Sequence, residues 1–168
     1  MKLSAVMSGI TPNANFAGEV TGDDYILAVD CSEGGEETSV GNYAAVRAHI
    51  EDFGAELSPE TDDAQYYLEG ASSMKKSTAR SFSVSGKRLA GDEFQDFVCS
   101  HAIKYGKGSA VERAYVYFNA LTGKGEQGKV IICVNNDGNA ESGAIGEIDV
   151  ELNCAGTPTE YTYTTTTS

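Results

Sequence analysis

The chain has 168 residues, 40% of them hydrophobic and none of them Trp, a length that fits one domain burying a modest core without staples. Its 12 Lys and Arg stand against 25 Asp and Glu, for a formal charge of −13. That balance excludes adhesive binding to DNA, RNA or an anionic membrane, because phosphate contacts need clustered Lys and Arg.

No run of about 18 apolar residues is present, and polar residues and Pro12 interrupt the N-terminal stretch too early for a signal-peptide core. A soluble, cytosolically made chain with no membrane partner is expected. Cys31, Cys99, Cys133 and Cys154 lie far apart without a C-x-x-C pair, the pattern of reduced thiols rather than of disulfides or metal ligands. With only His49 and His101 beside them, no metal site is expected.

In chain order, the apolar run at 24–30 predicts a strand, and the Gly pair and acids at 33–38 predict a turn. At 42–50, Ala44, Val46, Ala48 and Ile50 alternate with Tyr43, Arg47 and His49, which predicts a strand with the first set buried and the second wet. Residues 54–79 show no sustained period and read as a long loop. Its charge is segregated: Glu56, Glu60, Asp62, Asp63 and Glu69 come early, and Lys75, Lys76 and Arg80 come late. Such a segment is either a solvated loop or a contact arm whose charges meet a neighbouring copy.

The segment SFSVSGKRLAGDEFQDFV, residues 81–98, changes period in its middle. Phe82 and Val84 alternate with Ser81, Ser83 and Ser85 as in a strand, and Gly86 and Gly91 bracket a turn. Asp92 is placed as the N-cap of a helix over 92–105, with Glu93 near its positive end and Gln95 completing a capping-box-like pattern. Phe94, Phe97, Val98, Ala102 and Tyr105 form its apolar stripe, and Gly106 supplies the left-handed stop.

Period two then returns. Residues 110–119 and 129–134 read as strands joined by a hairpin connection at 122–128, and 135–143 as a turn-rich connection. In 146–154, Ile148, Val150, Leu152 and Cys154 share one face while Glu147, Asp149, Glu151 and Asn153 share the other. Beyond Pro158 the Thr- and Tyr-rich tail lacks core-forming aliphatics and is expected to be mobile in isolation, with a composition suited to a strand added to a neighbour.

No phosphate loop, dinucleotide fingerprint or H-E-x-x-H pair occurs, and the NNDGN run at 135–139 lacks the spacing and closing Glu of a calcium loop. No enzyme activity and no cofactor are expected. A structural role is left.

Residues 81–98, preceded by QYYLEG at 65–70 and followed by GEIDVELNCAGTP at 146–158, resemble the major tail tube proteins of long-tailed bacteriophages. In that family a strand ending in a similar G-x-R-x-x-G-D passes into a short helix, and a late strand ending in G-x-P closes the domain. The likeness covers roughly 40–160 and does not extend to an N-terminal arm, 1–24. It implies a mainly β single domain, 1–168: two packed β-sheets, sandwich- or barrel-like, with one flanking helix. It also implies six-membered rings stacked into a tube through which DNA passes without specific binding, in a virion tail made in the host cytoplasm. Inner strands of all members would join into one barrel.

On this resemblance the 54–79 segment, with Glu60, Asp62, Asp63, Tyr66, Tyr67, Lys75 and Lys76, reaches the adjacent ring. Tape measure, tail terminator and distal tail proteins are the further partners implied. Glu147, Asp149 and Glu151 are candidate lumen-facing acids, although the alternation fits a lumen-facing and an outward-facing row equally. The Ser81, Ser83 and Ser85 row shares that ambiguity. The inner tube of a contractile tail or secretion system is the alternative within the architecture, and a secreted β-sandwich binding module is the alternative outside it.

Overall fold

A computed structural model describes residues 1–165. Alternating segments become strands: β1 (Tyr25–Val29), β2 (Ala44–Ala45), β3 (Ile50–Tyr66), β4 (Gly70–Lys87), β5 (Glu112–Asn119), β6 (Lys124–Asn139), β7 (Glu147–Cys154) and β8 (Thr159–Thr162). They bond into a single antiparallel sheet in the order β2-β1-β5-β6-β7-β4-β3, with β8 pairing β6 beyond the end of β7. The short helices are α1 (Leu3–Val6), α2 (Glu93–Val98) and α3 (His101–Lys104).

The mainly β fold matches expectation, but two separate sheets are not formed: one sheet curls on itself and supplies both layers. Tyr117 on β5 and Phe82 on β4 are three strand spacings apart along the sheet, about 14 Å if it were flat, yet their ring centroids lie 5.1 Å apart. Phe53 on β3 also reaches Tyr117, at 6.0 Å. Residues 46–49 connect β2 at one end of the sheet to β3 at the other. The seam between those ends is a cleft of about 420 Å³ walled by Tyr25, Arg47 and Phe53.

Inside the curl, Phe82, Val84, Tyr115, Val130, Ile132, Ile148, Val150 and Leu152 pack together, and Phe94, Val98 and Ile103 join them from the helices. Each large side chain so buried contributes on the order of 1.5–3 kcal/mol. On the outside of β1 and β5, Ile26, Ala28, Val116 and Phe118 form a second cluster with Leu3 and Met7. The N-terminal arm is therefore part of the fold, and the Ala45 amide donates to the Met1 carbonyl at 2.8 Å. The C-terminal stretch, expected to be mobile, pairs with β6 and stacks Tyr163 on Phe118 at 5.2 Å; the rest of the expected tail, 166–168, lies outside the described residues.

Four local expectations change. The 54–79 loop is a β-hairpin, the outer parts of β3 and β4; beyond Leu57 both its faces are in water, so no apolar alternation announces it there,. The helix over 92–105 is broken, because Ser100 adopts extended backbone (ψ 149°) and its hydroxyl donates to the Phe97 carbonyl at 2.7 Å. The phase shifts there, so Ile103 is buried while Ala102 and Tyr105 are exposed. The strand over 42–50 shrinks to β2: Tyr43 turns inward under the N-terminal arm, and His49 sits in a turn with φ 55°. The turn placed at 135–143 starts late, since β6 runs through Asn139 with register shifts near Asn135 and Gly138.

Candidate assembly surface

Core packing on one side of β6, β7, β4 and β3 leaves their other side to solvent. On β7 the alternation sends Ile148, Val150 and Leu152 inward, so Glu147, Asp149 and Glu151 face out. The β4–β7 register sets Ser81 opposite Asn153, Ser83 opposite Glu151, Ser85 opposite Asp149 and Lys87 opposite Glu147. The two rows whose direction the sequence left open thus share one face.

That face also holds residues which sequence reasoning missed. Asp52 pairs with Ser85, Gly54 with Ser83 and Glu56 with Ser81, so Asp52 and Glu56 extend the acidic surface onto β3. Their signal was the alternation of Asp52, Gly54 and Glu56 with Phe53, Ala55 and Leu57, cut short where the segment read as a loop began at residue 54. On the opposite flank β6 contributes Cys133 beside Glu151 and Asn136 beside Asp149. A serine strand separates the β3 acids from the β7 acids by two strand spacings, about 10 Å. At that distance salt screens most of their repulsion, which relieves a like-charged face of part of its usual penalty.

Glu147 is partly neutralised. Lys87 Nζ donates to its Oε1 at 2.6 Å; this hydrogen bond holds the Glu147 carboxyl below the usual carboxylate range and raises the Lys87 ammonium. Asp149 and Glu151 have no ion-pair partner among the described residues.

The hairpin arm leaves this sheet where β4 parts from β7 at Ser81. Its free strands, about nine residues each, extend roughly 30 Å, and an unsupported two-stranded ribbon is marginally stable in water. Glu60, Asp62, Asp63, Tyr66, Tyr67, Lys75 and Lys76 all lie on it, exposed. Part of the segregated charge is satisfied within the hairpin: Lys76 pairs with Asp62 at 3.9 Å, and the Ser73 hydroxyl donates to Asp63. At the tip Tyr67 and Leu68 are 92% and 91% exposed. Leu68 also holds φ at 68°, a left-handed conformation uncommon for an aliphatic residue.

At the opposite end, Asp92 Oδ2 accepts from the Gln95 amide at 3.1 Å, and its Oδ1 lies 3.6 Å from the N-terminal ammonium. Gln95 does not reach back to Asp92. It is fully buried, donating to the Ala48 and Lys87 carbonyls at 3.0 and 3.1 Å and accepting from the Leu89 amide at 2.8 Å. It fastens the strand-to-helix connection to the β2–β3 turn.

This arrangement aligns with chains of two solved particles. A chain in the tail of an empty gene transfer agent particle, obtained by helical refinement in C6 symmetry, superposes with a TM-score of 0.61 at 14% identity, covering 86% of this chain and 100% of that one. A chain in the virion of a native gene transfer agent particle gives 0.55 at 14% identity, covering 84% and 98%. The likeness is one of fold. No family model and no curated protein matches the sequence.

Proposed function

We propose that this chain is a structural subunit of a phage-like tail, in which six copies form a ring and stacked rings form a hollow tube that conducts DNA during ejection. The observation that carries this reading is the convergence of Asp52, Glu56, Glu147, Asp149 and Glu151 on one solvent-facing, four-stranded surface. The fold shared with a tail of C6 symmetry supports it.

With that surface turned to the axis, every copy presents carboxylates to the bore. Phosphates passing within about 8–10 Å are repelled, and beyond that distance salt screens the field. DNA then slides without sticking. Side-by-side copies in a closed ring meet through two different patches, and the arm, whose apolar tip has no support in its own chain, reaches the adjacent ring. The reading places the protein in the virion tail after synthesis in the host cytoplasm, with tape measure, terminator and distal tail proteins as its partners.

Electron microscopy of concentrated purified protein tests it. Hollow tubes with six-fold end views are expected. A subunit that stays solitary at high concentration, or a tube whose bore is lined chiefly by Lys and Arg, overturns it.

A further inference from the structure

We infer that the side of the domain away from the acidic face carries a binding site for a neutral saccharide, built where the N-terminal arm meets the C-terminal tail. The pocket belongs to a single copy; only its place on an assembled tube depends on the ring proposed above. The arm is also the part of the chain to which the likeness to tail tube proteins does not extend.

Three stretches of chain converge on the pocket. The N-terminal arm lies across the outward side of β1 and β5, where Leu3 and Met7 pack with Ile26, Ala28, Val116 and Phe118. The tail after β8 lies beside it: the Tyr163 amide donates to the Gly123 carbonyl at 2.7 Å, and Tyr161 and Tyr163 both pack on Phe118. The turn at 40–42 forms the third side, held to the arm by the Leu3 amide, which donates to the Tyr43 carbonyl at 2.8 Å. Between them is a space of about 490 Å³, within the roughly 300–1,000 Å³ of small-molecule sites.

Its lining is uncharged. None of the twelve described residues around it is Asp, Glu, Lys, Arg or His, although 22% of the chain is charged, so neither a phosphate nor an ammonium finds a counter-charge. Seven of them carry hydroxyls instead, among them Ser4, Ser8, Tyr161 and Tyr163. Those four hydroxyls make no hydrogen bond to another described residue, and each can both give and accept one. Burial pushes the Tyr161 phenol up to about 12, so it stays a neutral donor.

Apolar surface lies among the hydroxyls. Met7, Ile10 and Val40 also line the pocket. Phe118 covers one face of Tyr163, with ring centroids 5.2 Å apart and planes 7° from parallel, which leaves the other face and the edge of Tyr163 for a ligand. Hydroxyls around an aromatic and aliphatic surface match a pyranose, whose faces carry C–H groups and whose edge carries hydroxyls. A purely apolar ligand would strip water from the pocket hydroxyls without replacing its hydrogen bonds. A charged one would lie desolvated without a partner.

The place of the pocket follows from the curl. β5 and its neighbour β1 lie across the core from β4, as the contact of Tyr117 with Phe82 requires, so their outward side is the one away from the acidic face. In a tube whose bore the acidic face lines, that side is the outer wall, open to the surrounding medium.

Carbon-13 labelling of the methionine methyls tests the site on the full chain, whose methionines are Met1, Met7 and Met74. Met7 lines the pocket, whereas Met74 is on the hairpin arm. The probes are the methyl glycosides of glucose, galactose, mannose and N-acetylglucosamine, with maltose and lactose. At least one is expected to shift the Met7 methyl and to leave Met74 in place, and glucuronate and protonated glucosamine are expected to bind roughly tenfold more weakly or worse. Gly41 lines the pocket, and a Cβ there would lie 3.5 Å from that of Ser4, an ordinary contact. Gly41→Leu is therefore expected to fold normally and to weaken binding roughly tenfold; Tyr163→Ala, with its melting curve recorded, is expected to weaken it as much. No Met7 shift with any neutral probe, or undiminished binding by both variants, overturns the site. Equal binding of the charged sugars overturns the ligand class. Equilibrium dialysis of the bound sugar against tubes tests the placement: tubes that take up none, when the free subunit does, overturn the outer-wall position and leave the site. Wild-type protein that forms no tubes overturns the ring and leaves the pocket standing.

Discussion

The Arg80 guanidinium lies over the ring of Tyr117, 4.9 Å from its centroid, and over Phe82 at 5.0 Å. Its Nε is 2.8 Å from Glu126 Oε1, a carboxylate that also accepts from the Tyr115 hydroxyl at 3.3 Å. Arg80 immediately precedes Ser81 at the limit of the β4–β7 register, so this clamp sits at the root of the arm. It fixes the direction in which an otherwise free ribbon leaves the body.

Removing the clamp strands Glu126 and uncovers two aromatic faces. Arg80→Ala is expected to cost about 2–3 kcal/mol, from lost cation–π contact and a broken, mostly buried ion pair. Arg80→Lys retains the charge and loses the planar stacking, so a smaller loss is expected. Urea denaturation of the three proteins measures both. An unchanged midpoint for Arg80→Ala would show that the clamp contributes nothing to the body.

The β7 row and the β4 serines were legible in the sequence because each strand buries one face, and burial enforces period two. The arm was not, because both of its faces are wet and only hydrogen bonding between its strands defines it. Glu56 fell inside the 54–79 segment read as a loop and Asp52 just before it, so the face they share on β3 went unread. The helix was legible at Asp92 and misread after Val98, where Ser100 takes extended backbone and Ile103 takes the inward position that spacing gave to Ala102 and Tyr105. Gln95 carries no sequence sign of its hydrogen bond to the Ala48 carbonyl or of those to Lys87 and Leu89, because a buried amide and a solvated one look alike at a helix start. The curl that merges two layers into one sheet depends on contacts such as Phe53 to Tyr117, far apart in sequence.

Three exposed ion pairs set the expected pH response of the monomer. Hydrogen bonds from Arg88, Lys104 and Lys87 lower the carboxyls of Asp96, Asp137 and Glu147 respectively. Stability from a depressed carboxyl is present above its unfolded pKa, about 4, and is lost as pH falls through the lower folded value. Lys87 and Lys104 are raised by the same contacts. Their contribution is complete below the unfolded value of about 10.4 and is lost as pH rises through the folded one. A plateau in Tm between about pH 5 and 10 is therefore expected, with a decline on each side. The Lys104→Met, Asp137→Asn double variant should show shallower declines in differential scanning calorimetry, and identical profiles would count against this account.

Residues 60–74 form the outer part of the arm, and their strand pairing is confined to the hairpin itself. Replacing them, together with Lys75, Lys76 and Ser77, by a two-residue Asn-Gly turn joins the paired Pro59 and Thr78 and is expected to leave a folded monomer with an unchanged core, since that sequence favours the tight turn a hairpin needs. The same protein is expected to form no long tubes, because the segment that reaches the next ring is gone. Circular dichroism reports the first outcome and negative-stain microscopy the second. Long tubes from the shortened chain would assign ring stacking to another surface.

Asp149 and Glu151 are the test of where the acidic face points, because neither has an ion-pair partner among the described residues. Both lie on the solvent side of β7, so Asp149→Lys with Glu151→Lys is expected to change folding stability by little more than about 0.5 kcal/mol. Each copy gains four units of positive charge by the double reversal, and a ring multiplies the change around its axis. If this face lines the bore, reversed tubes hold linear duplex DNA at low salt and shield it from added nuclease, whereas wild-type tubes leave it digestible. Retention should fall steeply as salt rises, since each phosphate contact releases counterions. Binding without nuclease protection would put the face on the outside of the tube, and no change in either measurement would remove it from any role in handling DNA.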